Sequence, residues 1–482
     1  MRRRIGAALA LTAFVGILTL PFPELEVEAH RLAAVLGLVV VLWVSEALPL
    51  SATALLGAAL CVVLGVAPAK VVFAPFADPL IFLFIGAFIL SRGIFIHHLD
   101  RRVAYAVLSL PWIGARPGRI LLALGAVTAA ISAWISNTAT TAMMFGIGMA
   151  IVATLRRSEG GAGIDDRYPS ALMLMISFAA SIGGLATPVG TPPNVIGIGF
   201  IRSLVGEEIP FFQWMLLGVP VVLVLYAVLF LYLRAVAPAG LAELPGSSEM
   251  IRAERARLGP WTAGERSVAI AFGVTVLLWV APGVAALVGG EHGQVYTLLT
   301  ARMPEGVAAV IGALLLFVLP GEDGRAMTWD EAMRIDWGVV LLYGGGFALG
   351  VLSFETGLAD VLGRGVAGLI PFGGSFGLLV ASVIMAVLLS ETTSNTASAN
   401  MVVPVVISIA RAAGADPLEP AIAATMAASL GFMLPVSTPC NAIVYGSGYI
   451  PLGRMIRWGL ALDLAGILII ITLVRLLVPF IR

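Results

Sequence analysis

Charge is what this sequence has least of. Only 12% of its 482 residues are Asp, Glu, Lys or Arg, where a soluble domain carries roughly a quarter. Acidic and basic residues balance at 28 each, so no basic face is left over for a nucleic acid. Cysteine is nearly missing. Cys61 and Cys440 both lie in apolar surroundings, which excludes a disulfide framework. There is no HExxH and no evident buried catalytic pair, so an embedded enzyme would have no reaction centre and no cofactor is called for. The first apolar run, Ile5 to Leu20, follows Arg2-Arg3-Arg4 and ends in Leu20-Pro21-Phe22-Pro23. It lacks a small-residue cleavage site and reads as a membrane helix rather than a removable signal.

What is present is apolar sequence, 60% of the chain. It falls in runs of roughly 20 residues, long enough to cross a bilayer and contact its lipid. The expected fold is an all-α polytopic membrane protein with about 11 transmembrane helices plus two re-entrant hairpins. Residues 1–30 hold the first helix and its loop, and residues 31–238 an N-terminal repeat with a hairpin at about 116–157. A cytoplasmic linker at 239–266 carries Arg252, Arg255, Arg257 and Arg266. A C-terminal repeat at 267–457 has its hairpin at about 374–411, and the last helix occupies 458–482. The N-terminal arginines place the N-terminus in the cytoplasm. Many of the 54 glycines and 28 prolines sit inside apolar runs. Broken backbone at membrane depth survives only where protein buries it or a cavity solvates it.

One triplet occurs twice, Ser136-Asn137-Thr138 and Ser394-Asn395-Thr396, each between apolar runs too short to span. Ser132 and Ser390 precede the two copies at the same offset. Phe82 to Phe88 resembles Leu341 to Phe347 one residue off that register, and Pro49 with Gly57 matches Pro304 with Gly312 nearby. Thr191 and Asn194 pair with Thr438 and Asn441. Landmarks in one order at nearly constant spacing describe an internal repeat. Arg116, Arg119, Arg156 and Arg157 bracket the first hairpin, so both its ends face the cytoplasm; the second enters from outside. Inverted repeats with broken helices meeting at mid-membrane are the pattern of secondary transporters.

The tips supply neutral oxygens and small donors. A half-helix that starts at a tip presents free N–H groups to an anion, and one that ends there presents carbonyls to a small cation. The Ser132 and Ser390 hydroxyls and the Gly190 and Ser437 backbones can complete two oxygen cages. No Arg or Lys lies within a turn of either triplet. A doubly charged anion there needs cations as partners. Glu391 either titrates with a proton or holds helix ends; Glu46 has the same two readings. A channel would also use hairpins and glycines, but would pass currents far above carrier turnover.

Trp43 to Pro49, both triplets, Thr187 to Asn194 and Leu434 to Gly448 resemble the divalent anion/sodium symporter (DASS) family of dicarboxylate, citrate and sulfate transporters. The resemblance covers nearly the whole chain. It implies a homodimer in the inner membrane, with a scaffold and an elevator-type transport domain, carrying C4-dicarboxylates with sodium. By position it implies one sodium at Ser132, Ser136, Asn137 and Gly190, and another at Ser390, Thr393, Asn395 and Ser437. It implies a substrate held by Asn137, Thr138, Asn395 and Thr396, with Thr191, Thr438 and Pro439 lining the pocket. Exchange, or carriage of citrate or sulfate, is the alternative within the family. Cys440 stands where a second proline is common, and Phe145-Gly146 where Leu-Pro or Met-Pro is usual.

Overall fold

The computed structural model describes residues 2–157, 165–290, 292–322, 324–367 and 374–480. Parts of the expected repeats at 158–164 and 368–373, and the last two residues of the final segment, lie outside them. An apolar backbone in lipid must satisfy its own hydrogen bonds, and helices do so within one segment. Helices accordingly dominate. α1 (Arg2–Thr19), α2 (Val27–Ser45) and α3 (Leu50–Val63) are followed by α4 (Pro79–Ile96) and the amphipathic α5 (Leu99–Leu108). The first hairpin is α6 (Pro117–Ser132) and α7 (Asn137–Arg157). The first broken helix is α8 (Arg167–Gly183) and α9 (Pro192–Phe200), and α10 (Phe211–Val236) closes the repeat.

The linker folds as α11 (Ser247–Arg257). Then come α12 (Ala263–Gly289), α13 (Gln294–Arg302), α14 (Glu305–Leu315), α15 (Trp337–Glu355) and α16 (Leu358–Ala367). The second hairpin is α17 (Gly374–Thr392) and α18 (Asn395–Ala412). The second broken helix is α19 (Leu418–Ala427) and α20 (Pro439–Tyr445), and α21 (Leu452–Leu477) is the counterpart of α10. A two-residue antiparallel ladder joins Pro320–Gly321 to Gly324–Arg325.

Among the described residues, nine helical stretches are long and apolar enough to cross a membrane. α13 and α14 pass the same test together across a 65° bend, and α3 and α6 are apolar but shorter. This is a multi-pass membrane protein.

Two packing groups emerge. In one, α3 lies on α2 and α15, and α4 on α14. In the other, both hairpins, both broken helices, α10 and α21 pack together: α6 and α7 on α8, α17 and α18 on α19, α9 on α18, and α20 on α7. Each broken helix therefore reaches across to the other repeat's hairpin. The glycine run of α15 allows this density, since a Cβ on Gly345 would meet Ala54 of α3 at 2.7 Å. One ion pair bridges the groups. Arg202, after α9, reaches Asp78 at 2.5 Å, and Asp78 also caps α4 through Leu80 N at 2.8 Å.

The two breaks differ from each other in one respect that sequence reading missed. The apolar sequence runs from Ala421 to Val436, but α19 ends at Ala427. The Met433 and Leu434 N–H groups donate instead to the Glu391 carboxylate, at 2.7 and 3.2 Å. That carboxylate satisfies backbone a continuing helix would have satisfied.

Candidate functional site: two hairpin tips on two broken helices

At the first tip, α6 ends at Ser132 and α7 begins at Asn137, and residues 136–139 are half-buried. Ser132 is fully buried, with its Oγ 2.7 Å from the Asn137 side chain. The Asn137 amide faces three acceptors, Ser132 Oγ at 2.7 Å, Ala180 O at 3.1 Å and Gly190 O at 3.2 Å. With its nitrogen turned inward the amide donates to all three. The same three oxygens, with the Asn137 amide oxygen when the amide is turned over, are neutral groups of the kind that ligate a small cation. Gly184 makes room for this. A Cβ there would lie 2.5 Å from Asn137 Oδ1. Gly190 is held as tightly, since its Cβ would meet Gly184 O at 2.5 Å and Ala133 O at 2.9 Å.

The second tip repeats the arrangement. Ser390 Oγ donates to Asn395 Oδ1 at 2.8 Å and also contacts Ala428 O at 2.8 Å, and Asn395 Nδ2 reaches Ser429 O at 3.4 Å. Ser394 caps α18 by accepting from Ala397 N at 3.2 Å, so capping is part of the triplet's work. The breaks are stapled alike. Asn194 Nδ2 donates to Gly184 O and Thr187 O, at 2.9 and 2.8 Å. Asn441 Nδ2 donates to Gly431 O and Leu434 O, at 2.8 and 2.9 Å. Each asparagine clamps two backbone carbonyls of an irregular break between helices.

The structure thus brings Ser132, Asn137 and Gly190 together, and Ser390 with Asn395. Ser136 stands at the rim, with its carbonyl accepting from Thr140 N at 3.0 Å. Thr393 turns its hydroxyl back to Leu389 O at 2.8 Å, and Ser437 Oγ bonds the Glu391 carboxylate at 2.7 Å and the Glu391 carbonyl at 3.0 Å. Thr138 and Thr396 are half-buried beside their asparagines and Pro439 is exposed. Thr191 and Thr438 are buried at the starts of α9 and α20, where Thr438 Oγ1 accepts from Asn441 N at 3.2 Å.

Sequence reasoning missed Ala180 and Ala428, which act through backbone carbonyls and carry no side-chain signal. It also missed Gly184 and Gly431, which the repeat register could have found, because each stands at the same distance before its clamp asparagine. Asp463 of α21 was missed as well. It is buried against Glu391. Glu46 lies far from this chemistry in role: its exposed residue ends α2 in a left-handed conformation, with its N–H on Trp43 O. Among the described residues no cluster of three or more His, Cys, Asp or Glu could hold a metal.

Paired hairpins whose tips meet paired broken helices inside an all-helical bundle define the architecture of secondary transporters. The particular family follows from comparison. Residues 2–480 match the family described as the sodium:sulfate symporter transmembrane region, and the chain belongs to it. It is similar to the sodium-dependent dicarboxylate transporter SdcS of Staphylococcus saprophyticus, 35% identical over 91% of this chain and 84% of that one. The SdcS protein of Staphylococcus aureus strain bovine RF122 is 34% identical over 98% of this chain and 91% of its own. Among solved structures, the YdaH transporter of Alcanivorax borkumensis shares the fold, with a TM-score of 0.55 at 15% identity over 99% of this chain and 97% of that one. MtrF of Neisseria gonorrhoeae does so at 0.52 and 12%, over 83% and 81%.

Proposed function

We propose that this chain is a sodium-coupled symporter of C4-dicarboxylates such as succinate, malate and fumarate. One observation carries the reading: each tip asparagine gathers a buried serine and broken-helix carbonyls around it, Ser132 Oγ, Ala180 O and Gly190 O at Asn137, Ser390 Oγ and Ser429 O at Asn395, neutral oxygens from which a small cation can draw its ligands without a carboxylate. Ser136 joins that cage from the rim when the tip closes. Ser390, Asn395, Thr393 and Ser437 serve the second sodium. The substrate carboxylates take the amides and hydroxyls of Asn137, Thr138, Asn395 and Thr396, beside Thr191, Thr438 and Pro439. Neutral ligands leave the dianion without a counter-charge, and the bound cations supply it. The SdcS relatives are sodium-dependent dicarboxylate transporters, which supports both the ion and the substrate class.

The working unit is a homodimer in the inner membrane, N-terminus in the cytoplasm. The group built from the hairpins, broken helices, α10 and α21 moves as an elevator against the rest, and no cofactor takes part. The test is uptake of succinate, citrate and sulfate into proteoliposomes with and without an inward sodium gradient. Succinate uptake that requires the gradient is expected. Uptake without sodium that needs internal dicarboxylate makes it an exchanger, and preference for sulfate or citrate reassigns the anion.

A further inference from the structure

At the end of the molecule that carries the linker, a cavity of about 580 Å³ opens between the base of the first hairpin, the start of α8 and the end of α10. Arg116, Arg119 and Arg234 line it, with Tyr168, Phe230 and Leu122, and its described lining includes no Asp or Glu. Three hydrogen bonds build the walls. Tyr168 donates its hydroxyl to Pro117 O at 2.9 Å, Leu244 N donates to Ala115 O at 2.7 Å, and Asp165 N donates to Ala239 O at 3.2 Å. They pin the hairpin base between α8 and the linker. The arginines converge on the start of α6. Arg116 is its N-cap residue, and no side chain caps that end. A Cβ on Gly118 would lie 3.8 Å from Arg234 Nε, so the α10 arginine hangs over the same helix start. Arg119 gives one N–H to Trp112 O and keeps the others.

Among the described residues none of the three arginines pairs with a carboxylate. The acids nearby in the fold have partners of their own. Asp165 meets Arg167 at 2.5 Å and Asp166 meets Arg454 at 3.4 Å, while Glu243 is exposed outside the lining. Three cations beside a helix N-terminus make a concentrated positive field. The wall below them is apolar. Phe230, Ala227 and Leu223 follow Arg234 down one face of α10 at helical spacing, the first half-buried and the other two exposed. Arg234 stands in the last turn of this 26-residue apolar helix, which puts its guanidinium at headgroup depth and the stripe beside the acyl chains.

We propose that this cavity binds the phosphate of an anionic phospholipid. The phosphodiester sits among Arg116, Arg119 and Arg234, and an acyl chain lies along Phe230, Ala227 and Leu223. Guanidinium forks match phosphate oxygens. A zwitterionic headgroup would bring its own cation to a pocket that has no acid to receive it. Free phosphate offers the same oxygens but nothing to cover the apolar stripe. No tip residue takes part, so the site stands or falls independently of the symporter reading.

The test is native mass spectrometry of the purified full chain, titrated with phosphatidylglycerol, phosphatidylcholine or inorganic phosphate. The parent is expected to hold one phosphatidylglycerol at least about tenfold more tightly than phosphatidylcholine, and inorganic phosphate is expected not to displace it. Arg116→Gln combined with Arg234→Gln should abolish that preference. Both side chains are exposed, so this variant is expected to melt like the parent when no lipid is added. Arg116→Lys combined with Arg234→Lys keeps the charge without the fork and should retain part of the preference. Arg252→Gln, exposed on α11 outside the cavity, removes a positive charge elsewhere and should leave the preference intact. Equal binding of the two lipids by the parent overturns the proposal, and so does an undiminished preference in the glutamine variant. Loss of preference in Arg252→Gln would trace the effect to overall charge and overturn it too. Displacement of the lipid by inorganic phosphate overturns the lipid assignment.

Discussion

The two tips are built on one plan and held in place by different chemistry. At both, a serine one turn back meets the triplet asparagine, and a distant asparagine clamps the break. In the first repeat the break is then held by neutral contacts: Thr187 Oγ1 donates to Ala133 O, and Gly190 packs without a side chain. In the second repeat, Glu391 stands where the first has Ala133. Its carboxylate takes Met433 N, Leu434 N and Ser437 Oγ, with Asp463 behind it. Charge-assisted hydrogen bonds are worth roughly twice neutral ones. The second break, which has more irregular backbone to hold, has the stronger clamp. A duplicated architecture therefore does not imply duplicated energetics. The halves share what binds and diverge in what braces.

The sharpest way to break the comparison is to copy one half into the other. Gly190→Ser gives the first break the side chain that the second carries at Ser437. Its Cβ would strike the Gly184 and Ala133 carbonyls, which are backbone and cannot swing away. Succinate uptake should fall at least about a hundredfold, and sodium should no longer raise the melting temperature, because strain of a few kcal/mol exceeds what a weak ion site supplies. The reciprocal Ser437→Gly should cost only about tenfold, through loss of the hydroxyl that meets the Glu391 carboxylate and carbonyl.

Asn395→Ala should abolish both uptake and sodium-dependent stabilisation, and Asn137→Ala should match it. Normal transport by either variant would remove the paired-tip reading. Glu391→Gln keeps one amide oxygen but loses the charge and half the clamp. A drop in stability of about 1–3 kcal/mol is expected, against about 1 kcal/mol for Thr187→Val, its nearest functional counterpart. Thermal unfolding of the two variants side by side reads the difference, and equal losses would show that the braces do not differ.

The smallest effect belongs to a control outside both sites. Glu322 is held below the usual carboxylate range, first by the Thr262 hydroxyl, then by the Gly264 N–H and the neighbouring His97. A depressed carboxyl stabilises the fold above its unfolded value, and that contribution disappears as pH falls through the folded one. The side chain is 45% exposed, so Glu322→Gln should cost well under about 1 kcal/mol at neutral pH and leave uptake alone.

Much of this site was legible before any coordinates, for a physical reason. Half-helices that end at membrane depth need polar residues at the ends, and polar residues in a 60% apolar chain stand out. Repetition then doubled the signal, so Ser132 with Asn137 and Ser390 with Asn395 could be paired from spacing alone. What stayed hidden is of two kinds. Ala180 and Ala428 contribute carbonyl oxygens that any residue could offer. Asp463 lies on a helix whose neighbours sequence order does not reveal, whereas Glu391 was legible as a residue that holds helix ends.

Sequence by itself determined the membrane class, the register of the repeat and the identity of the tip residues, because hydropathy and register are local or one-dimensional properties. Tertiary structure alone decided that α20 of the second repeat lies on the first hairpin, that α19 gives way early to the Glu391 clamp, and that Arg234 hangs over the start of α6. Those are contacts between segments far apart in sequence, chosen by how the two repeats interlock, and nothing in either segment alone carries that choice.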